Sequence, residues 1–119
     1  MAIEWSVSED NLIQFDISGQ LVFKEYQDVQ SQLEETIKQA GQCRILVILK
    51  DFEGWDNDKG WGDSSATERT DPFIKKFAIV GDEKWRDLVE VFTLKGLRPV
   101  PIEYYSSENE QQARDWLNT

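Results

Sequence analysis

Lys75-Lys76-Phe77-Ala78-Ile79-Val80-Gly81-Asp82-Glu83-Lys84-Trp85 is the stretch whose reading decides the architecture. An apolar run ends in glycine, and an aspartate then stands where a helix should start. This order reads as a buried strand that turns and delivers a helix N-terminus to the edge of a sheet. A second unit lies upstream at Arg44-Ile45-Leu46-Val47-Ile48-Leu49-Lys50-Asp51, again apolar without alternation, as a strand covered on both faces must be.

Outward from these two strands the pattern continues. Ile3, Trp5 and Val7 alternate with polar residues, as do Ile13, Phe15 and Ile17, and Asp10-Asn11 between them is turn chemistry. The opening therefore reads as an antiparallel hairpin ended by Gly19. Tyr26, Val29, Leu33, Ile37 and Ala40 recur at helical spacing, with Gly41 at the expected stop. Val100 to Tyr105 is the last strand, with Pro101 marking its start or a sheet edge. Ser107 with Glu110 forms a capping-box pattern before Ala113, Trp116 and Leu117. The expectation is an α/β fold in a single domain over residues 1–119. Its sheet is mostly parallel with about five strands, the first antiparallel, joined by right-handed β/α crossovers.

Composition narrows the function classes. Thirteen basic residues against 23 acidic ones give a formal charge of −10, which repels phosphate backbones and argues against nucleic-acid binding. The same charge leaves at most a peripheral association with anionic membranes. The chain has no histidine, so histidine-based triads and imidazole ligands are absent. With one cysteine, Cys43, there is no intramolecular disulfide, and its place beside a buried strand suggests a packed thiol. The N-terminus lacks a basic region followed by an apolar run, and the longest apolar stretch is Ile45 to Leu49. A cytoplasmic protein is expected.

Residues 51–72 resist a simple assignment, with Trp55, Trp61, three glycines and several carboxylates. A segment this long is functional or hides a short helix, and Ser64 to Arg69, capped by Asp63, is the candidate. Asp56-Asn57-Asp58-Lys59-Gly60 has lysine where a calcium loop needs an oxygen ligand, so solvated loop charge is the preferred reading and no metal is expected. Gly81 at a helix mouth resembles a phosphate-binding turn, but Asp82 and Glu83 already occupy that positive end. Asp82 is read as a cap. No catalytic residue and no cofactor are expected.

Leu49-Lys50-Asp51-Phe52-Glu53-Gly54-Trp55, Ala78-Ile79-Val80-Gly81-Asp82-Glu83-Lys84-Trp85 and Ile102-Glu103-Tyr104-Tyr105 with Ala113-Arg114-Asp115-Trp116-Leu117 resemble the SpoIIAA-like proteins. These are a bacterial group related to the STAS (anti-sigma-factor antagonist) domain. The resemblance spans nearly the whole chain. It implies the STAS/SpoIIAA-like layered fold, similar also to CRAL-TRIO lipid carriers, and brings no agreed catalytic residues. Asp63-Ser64-Ser65-Ala66 echoes the Asp-Ser-Ser-Gly motif in which STAS antagonists are phosphorylated by a kinase partner. Ser64 and Ser65 are the implied phosphorylation candidates, although Ala66 replaces the motif's glycine.

After Asp82 the apolar residues Trp85, Leu88, Val89 and Phe92 form one stripe, while Val91 and Leu94 fall outside it. Three explanations stand open. Loop tryptophans cover the surplus, the surplus lines an apolar pocket or membrane-dipping patch, or it is an oligomer interface. The leading expectation is a non-catalytic module taking an apolar, lipid-like ligand, with Trp55, Trp61, Trp85, Leu88, Val91, Phe92 and Leu94 around the site. The alternative is a STAS-type regulatory module binding a protein partner or a second copy, switched at a serine. An enzyme using loop carboxylates such as Asp56 and Asp63 ranks third.

Overall fold

The structure is a computed structural model and describes residues 3–8, 10–62 and 65–119. Its elements are β1 (Ile3–Val7), β2 (Leu12–Leu21), α1 (Phe23–Ala40), β3 (Cys43–Trp55), α2 (Ser65–Thr70), β4 (Ile74–Gly81), α3 (Arg86–Phe92), β5 (Ile102–Ser106) and α4 (Glu110–Leu117). The strands lie in the order β1-β2-β3-β4-β5. β1 runs antiparallel to β2, and the other neighbours are parallel. This is the expected α/β architecture, with Pro101 immediately before the edge strand β5.

Alternation along the strands divides the core. Ile45, Leu49 and Ile79 turn to one face, where they meet Val29, Leu33 and Ile37 of α1 and Val89 of α3. Leu46, Ile48, Ala78 and Val80 turn to the other, against Ala113 and Leu117 of α4. Both faces are covered, which is why these strands are apolar throughout. At α1's end Gly41 takes φ 81° and its N–H reaches Ile37 O at 3.1 Å, a conformation glycine adopts without a Cβ clash.

Several boundaries differ from expectation. β2 continues through Gly19, and β3 runs five residues past Lys50, because bulges rather than chain breaks interrupt the pairing. Ser18 pairs with Lys50, Gly19 with Phe52 and Leu21 with Trp55, so β3 carries an extra residue at each step. The extra residues fall at Asp51 (φ 49°) and around Gly54 (φ 91°). Bulges bend and twist a strand, and beyond them Phe52 and Trp55 meet edge-on.

After β4 the chain makes a single 3-10 turn, Glu83–Trp85, before α3 begins. Asp82 is the cap, accepting from Lys84 N at 3.0 Å. α3 is only seven residues long, and the tighter preceding turn, at three residues rather than 3.6, shifts the phase between Trp85 and the helix. The inward arc narrows to Val89 and Phe92, and Leu88 is exposed rather than core-facing. The expected capping box before α4 does not form either. A 3-10 turn, Ser107–Asn109, intervenes, and Asn109 Nδ2 donates to Ser106 Oγ.

Candidate functional site

The helical layer on the α1 face is uneven. α1 has 18 residues and α3 seven, or about 27 Å against about 10 Å at 1.5 Å per residue. β3 beneath them has 13 residues. A short helix cannot cover so long a strand, and Ile45, Val47 and Ile79 in the middle of the sheet there are mid-sized. The result is an apolar cavity of about 460 Å³ between sheet and helices, within the ~300–1,000 Å³ range of small-molecule sites. Phe15, Val47 and Ile79, consecutive partners across β2, β3 and β4, form part of its floor. Tyr26, Val29 and Leu33 of α1 form one wall, and Val89 and Phe92 of α3 another.

Trp55 and Trp61 both line this cavity. Trp61 bridges the two helices, its ring 5.0 Å from Phe23, 5.2 Å from Tyr26 and 5.2 Å from Phe92, centroid to centroid. Its indole N–H donates to Asp56 Oδ1 at 2.7 Å, and Asp56 Oδ2 accepts from the first amide of α1, Phe23 N, at 3.2 Å. The carboxylate considered for metal or acid-base chemistry is thus committed to a tryptophan and a helix start. Among the described residues no group of three or more His, Cys, Asp or Glu is placed to hold a metal ion.

Trp55 stacks 4.8 Å from Phe92 and meets Phe52 edge-on at 5.1 Å. The Nε1 atoms of Trp55 and Trp85 are shut off from solvent and have no hydrogen-bond partner among the described residues, which costs about 1–3 kcal/mol for each donor. Trp85 does not line the cavity. It packs behind it against Phe52, over the bulge glycine Gly54, where a Cβ would stand 3.3 Å from the indole.

Val91 and Leu94 line the cavity and also reach solvent, 73% and 40% exposed. The loop tryptophans therefore leave them uncovered, and the two residues form a greasy mouth. Leu94 holds φ 58°, a left-handed conformation that is costly for a residue with a Cβ. Residues 93–101 return to the sheet under a clamp. Arg98 Nε and Nη2 donate to the Asp71 carboxylate at 3.1 and 2.6 Å, and Nη1 donates to Thr93 O at 3.1 Å. Arg98 is also part of the cavity wall.

Of the seven residues expected at the site, five line one cavity: Trp55, Trp61, Val91, Phe92 and Leu94. Trp85 lies behind it and Leu88 points away. Sequence reasoning missed the α1 wall and Arg98. The α1 stripe looks identical whether it meets packed side chains or a hollow, and nothing local marks Arg98 as turned inward. Ser64 and the Asp63 cap lie outside the described residues, and Ser65 is described only as the first residue of α2. Among the described residues, no helix is long and apolar enough to cross a membrane.

The fold has solved counterparts. An uncharacterized protein from Shewanella loihica PV-4, with a SpoIIAA-like fold, matches with a TM-score of 0.71 at 22% identity, covering 98% of this chain and 92% of that one. The anti-sigma factor antagonist SpoIIAA in its unphosphorylated form matches with a TM-score of 0.66 at 11% identity, over 97% and 98% of the two chains. The Bacillus cell fate determinant SpoIIAA in its phosphorylated form gives 0.57 at 13% identity, over 93% and 97%. At these identities the likeness shows the fold, and it adds no support for the expected similarity to CRAL-TRIO carriers. No curated protein matches the sequence. The SpoIIAA-like family model matches residues 12–118, nearly the whole chain, and the chain belongs to the SpoIIAA-like family.

Proposed function

We propose that this chain is a non-catalytic regulatory module that works by binding a protein partner in the STAS manner. The fold likeness to an anti-sigma factor antagonist supports this reading. The observation that carries it is a surface patch on and just after α3. Leu88, Val91, Leu94 and Leu97 are 55%, 73%, 40% and 83% exposed, and clustered exposed apolar residues mark interaction sites. A serine switch at Ser64 or Ser65 fits the same reading, because SpoIIAA itself has a phosphorylated form and a phosphate adds close to two negative charges beside a helix start. Mass spectrometry of the chain purified from its own cells tests both parts. A stoichiometric partner should be retained by the wild type and lost from a Val91→Asp/Leu97→Asp variant, with phosphate on Ser64 or Ser65 in one fraction. Identical partner recovery from both proteins would refute the patch.

The cavity favours a second reading, an apolar or lipid-like ligand held beneath Trp55 and Trp61. Burial at roughly 25 cal/mol per Å² would supply the affinity, and a ligand at 100 times its Kd would stabilise the fold by about 2.7 kcal/mol. Native mass spectra of gently purified protein, with tryptophan emission and melting in the presence of fatty acids, retinoids or a long-chain ketone, decide it. No mass increment, no spectral change and no rise in Tm would remove this reading and leave the first intact.

A further inference from the structure

Resting on the second reading, that the cavity holds a ligand, we propose that its occupant is an apolar molecule carrying a neutral oxygen acceptor, such as a ketone, ester or quinone carbonyl, and not a fatty acid or other anion. Among the described residues Arg98 is the one charged side chain in the wall. It is already neutralised. The Asp71 carboxylate holds it through two nitrogens at 2.6 and 3.1 Å, with both side chains largely buried. A ligand carboxylate placed there would meet the guanidinium with Asp71 behind it, giving two anions for one cation in a dry site. Burying an ion without its own partner costs several kcal/mol, and the chain's net charge of −10 opposes an anion's approach from further away.

The wall nevertheless has donors to spare. Arg98 has five N–H groups, of which Asp71 and Thr93 O take three. Trp55 is another part of the wall, but its indole N–H is closed off from the hollow as well as from solvent and offers it no donor. The Trp61 N–H is taken, because Asp56 satisfies it. The Thr93 hydroxyl donates to Val89 O at 2.9 Å. The two remaining Arg98 N–H groups, on a cation already neutralised by Asp71, are complementary to an uncharged acceptor. A carbonyl oxygen satisfies a donor without bringing a charge to be desolvated.

Three probes of matched length test this on the wild-type protein: 2-undecanone, undecanoate at pH 8 and n-undecane, by thermal melting and by the indole N–H resonances of the tryptophans. Undecanone should raise Tm, shift the indole peaks of the lining tryptophans and bind more tightly than undecanoate or undecane. The uncharged double variant Asp71→Leu/Arg98→Met should weaken undecanone by about 2- to 10-fold, the worth of one hydrogen bond, and bind undecane as the wild type does. If undecanoate binds as tightly as undecanone, or undecane does, the neutral-acceptor assignment is overturned while the cavity keeps its ligand. If none of the three binds, the ligand reading falls and this assignment with it.

Discussion

The indole of Trp61 donates to Asp56 Oδ1 at 2.7 Å while the other oxygen of that carboxylate accepts from Phe23 N at 3.2 Å. One side chain thereby fixes an aromatic that spans α1 and α3 and also satisfies the first amide of α1. α1 has no capping side chain of its own, since Val22 stands at the cap position. Asp56 supplies the missing acceptor from 33 residues away. Asp56→Ala should cost about 1–3 kcal/mol in a urea titration, from a lost cap and a stranded indole N–H. Asp56→Asn keeps one carbonyl acceptor and should lose less. Equal stability of wild type and Asp56→Ala would show that neither bond matters.

The Asp71–Arg98 pair is buried and bidentate, so removing one partner leaves the other charge stranded. Asp71→Ala should destabilise by about 3–5 kcal/mol, whereas the double change Asp71→Leu/Arg98→Met should recover most of that loss. Chemical denaturation of the three proteins checks the ordering. A double variant as unstable as the single one would point to shape, not charge, as the pair's contribution.

Gly81 is required by close approach rather than by backbone angle. A Cβ there would stand 2.6 Å from the Tyr104 hydroxyl and 3.1 Å from Leu49, and that hydroxyl donates to Asp82 O at 2.7 Å. Gly81→Ala should cost about 1–3 kcal/mol through overpacking. In a Tyr104→Phe background the penalty should shrink by about 0.5–1 kcal/mol, because the crowding oxygen is gone. Additive losses in the double-mutant cycle would disprove the contact as the cause.

Burial pushes the Cys43 thiol from 9.0 up to about 11, and burial first, then the nearby Glu83 charge, pushes the Tyr104 phenol from 10.0 up to about 12. Both are neutral when protonated, and the unfolded chain gives up these protons first. Their contributions are therefore whole below pH 9 and 10 and disappear as pH rises through about 11 and about 12 respectively. The urea midpoint should fall from pH 9 upward. Cys43→Ala should flatten the lower part of the decline and Tyr104→Phe the upper. A midpoint level from pH 9 to 12 would contradict both burials.

Val47→Phe places extra volume in the floor of the cavity. The free protein should keep its stability or gain about 0.5–2 kcal/mol from filling the void, while any ligand-induced rise in Tm should vanish. A marked loss of stability would instead mean that the hollow is already filled by the protein's own side chains.

The sheet was legible because burial on both faces forces a continuous apolar run, and Arg44 to Lys50 and Lys76 to Val80 show one. Half of the candidate site was legible too. Surplus apolar residues at Val91 and Leu94 announce that α3 meets something beyond an ordinary core, and Trp55 and Trp61 announce an aromatic cover. Leu88 was misread because helical phase depends on where the helix begins, and the 3-10 turn at Glu83–Trp85 moved that point.

From the chain alone came the succession of strands and helices and the lack of histidine chemistry, since each depends on local periodicity or residue identity. Only the folded molecule decided that the face between α1 and α3 is hollow, that Arg98 turns inward onto Asp71, and that Trp55 finds no acceptor among the described residues. Void space and hydrogen-bond pairing depend on distances between residues far apart in sequence. A stripe such as Val29, Leu33 and Ile37 reads the same whether its far side is filled or empty.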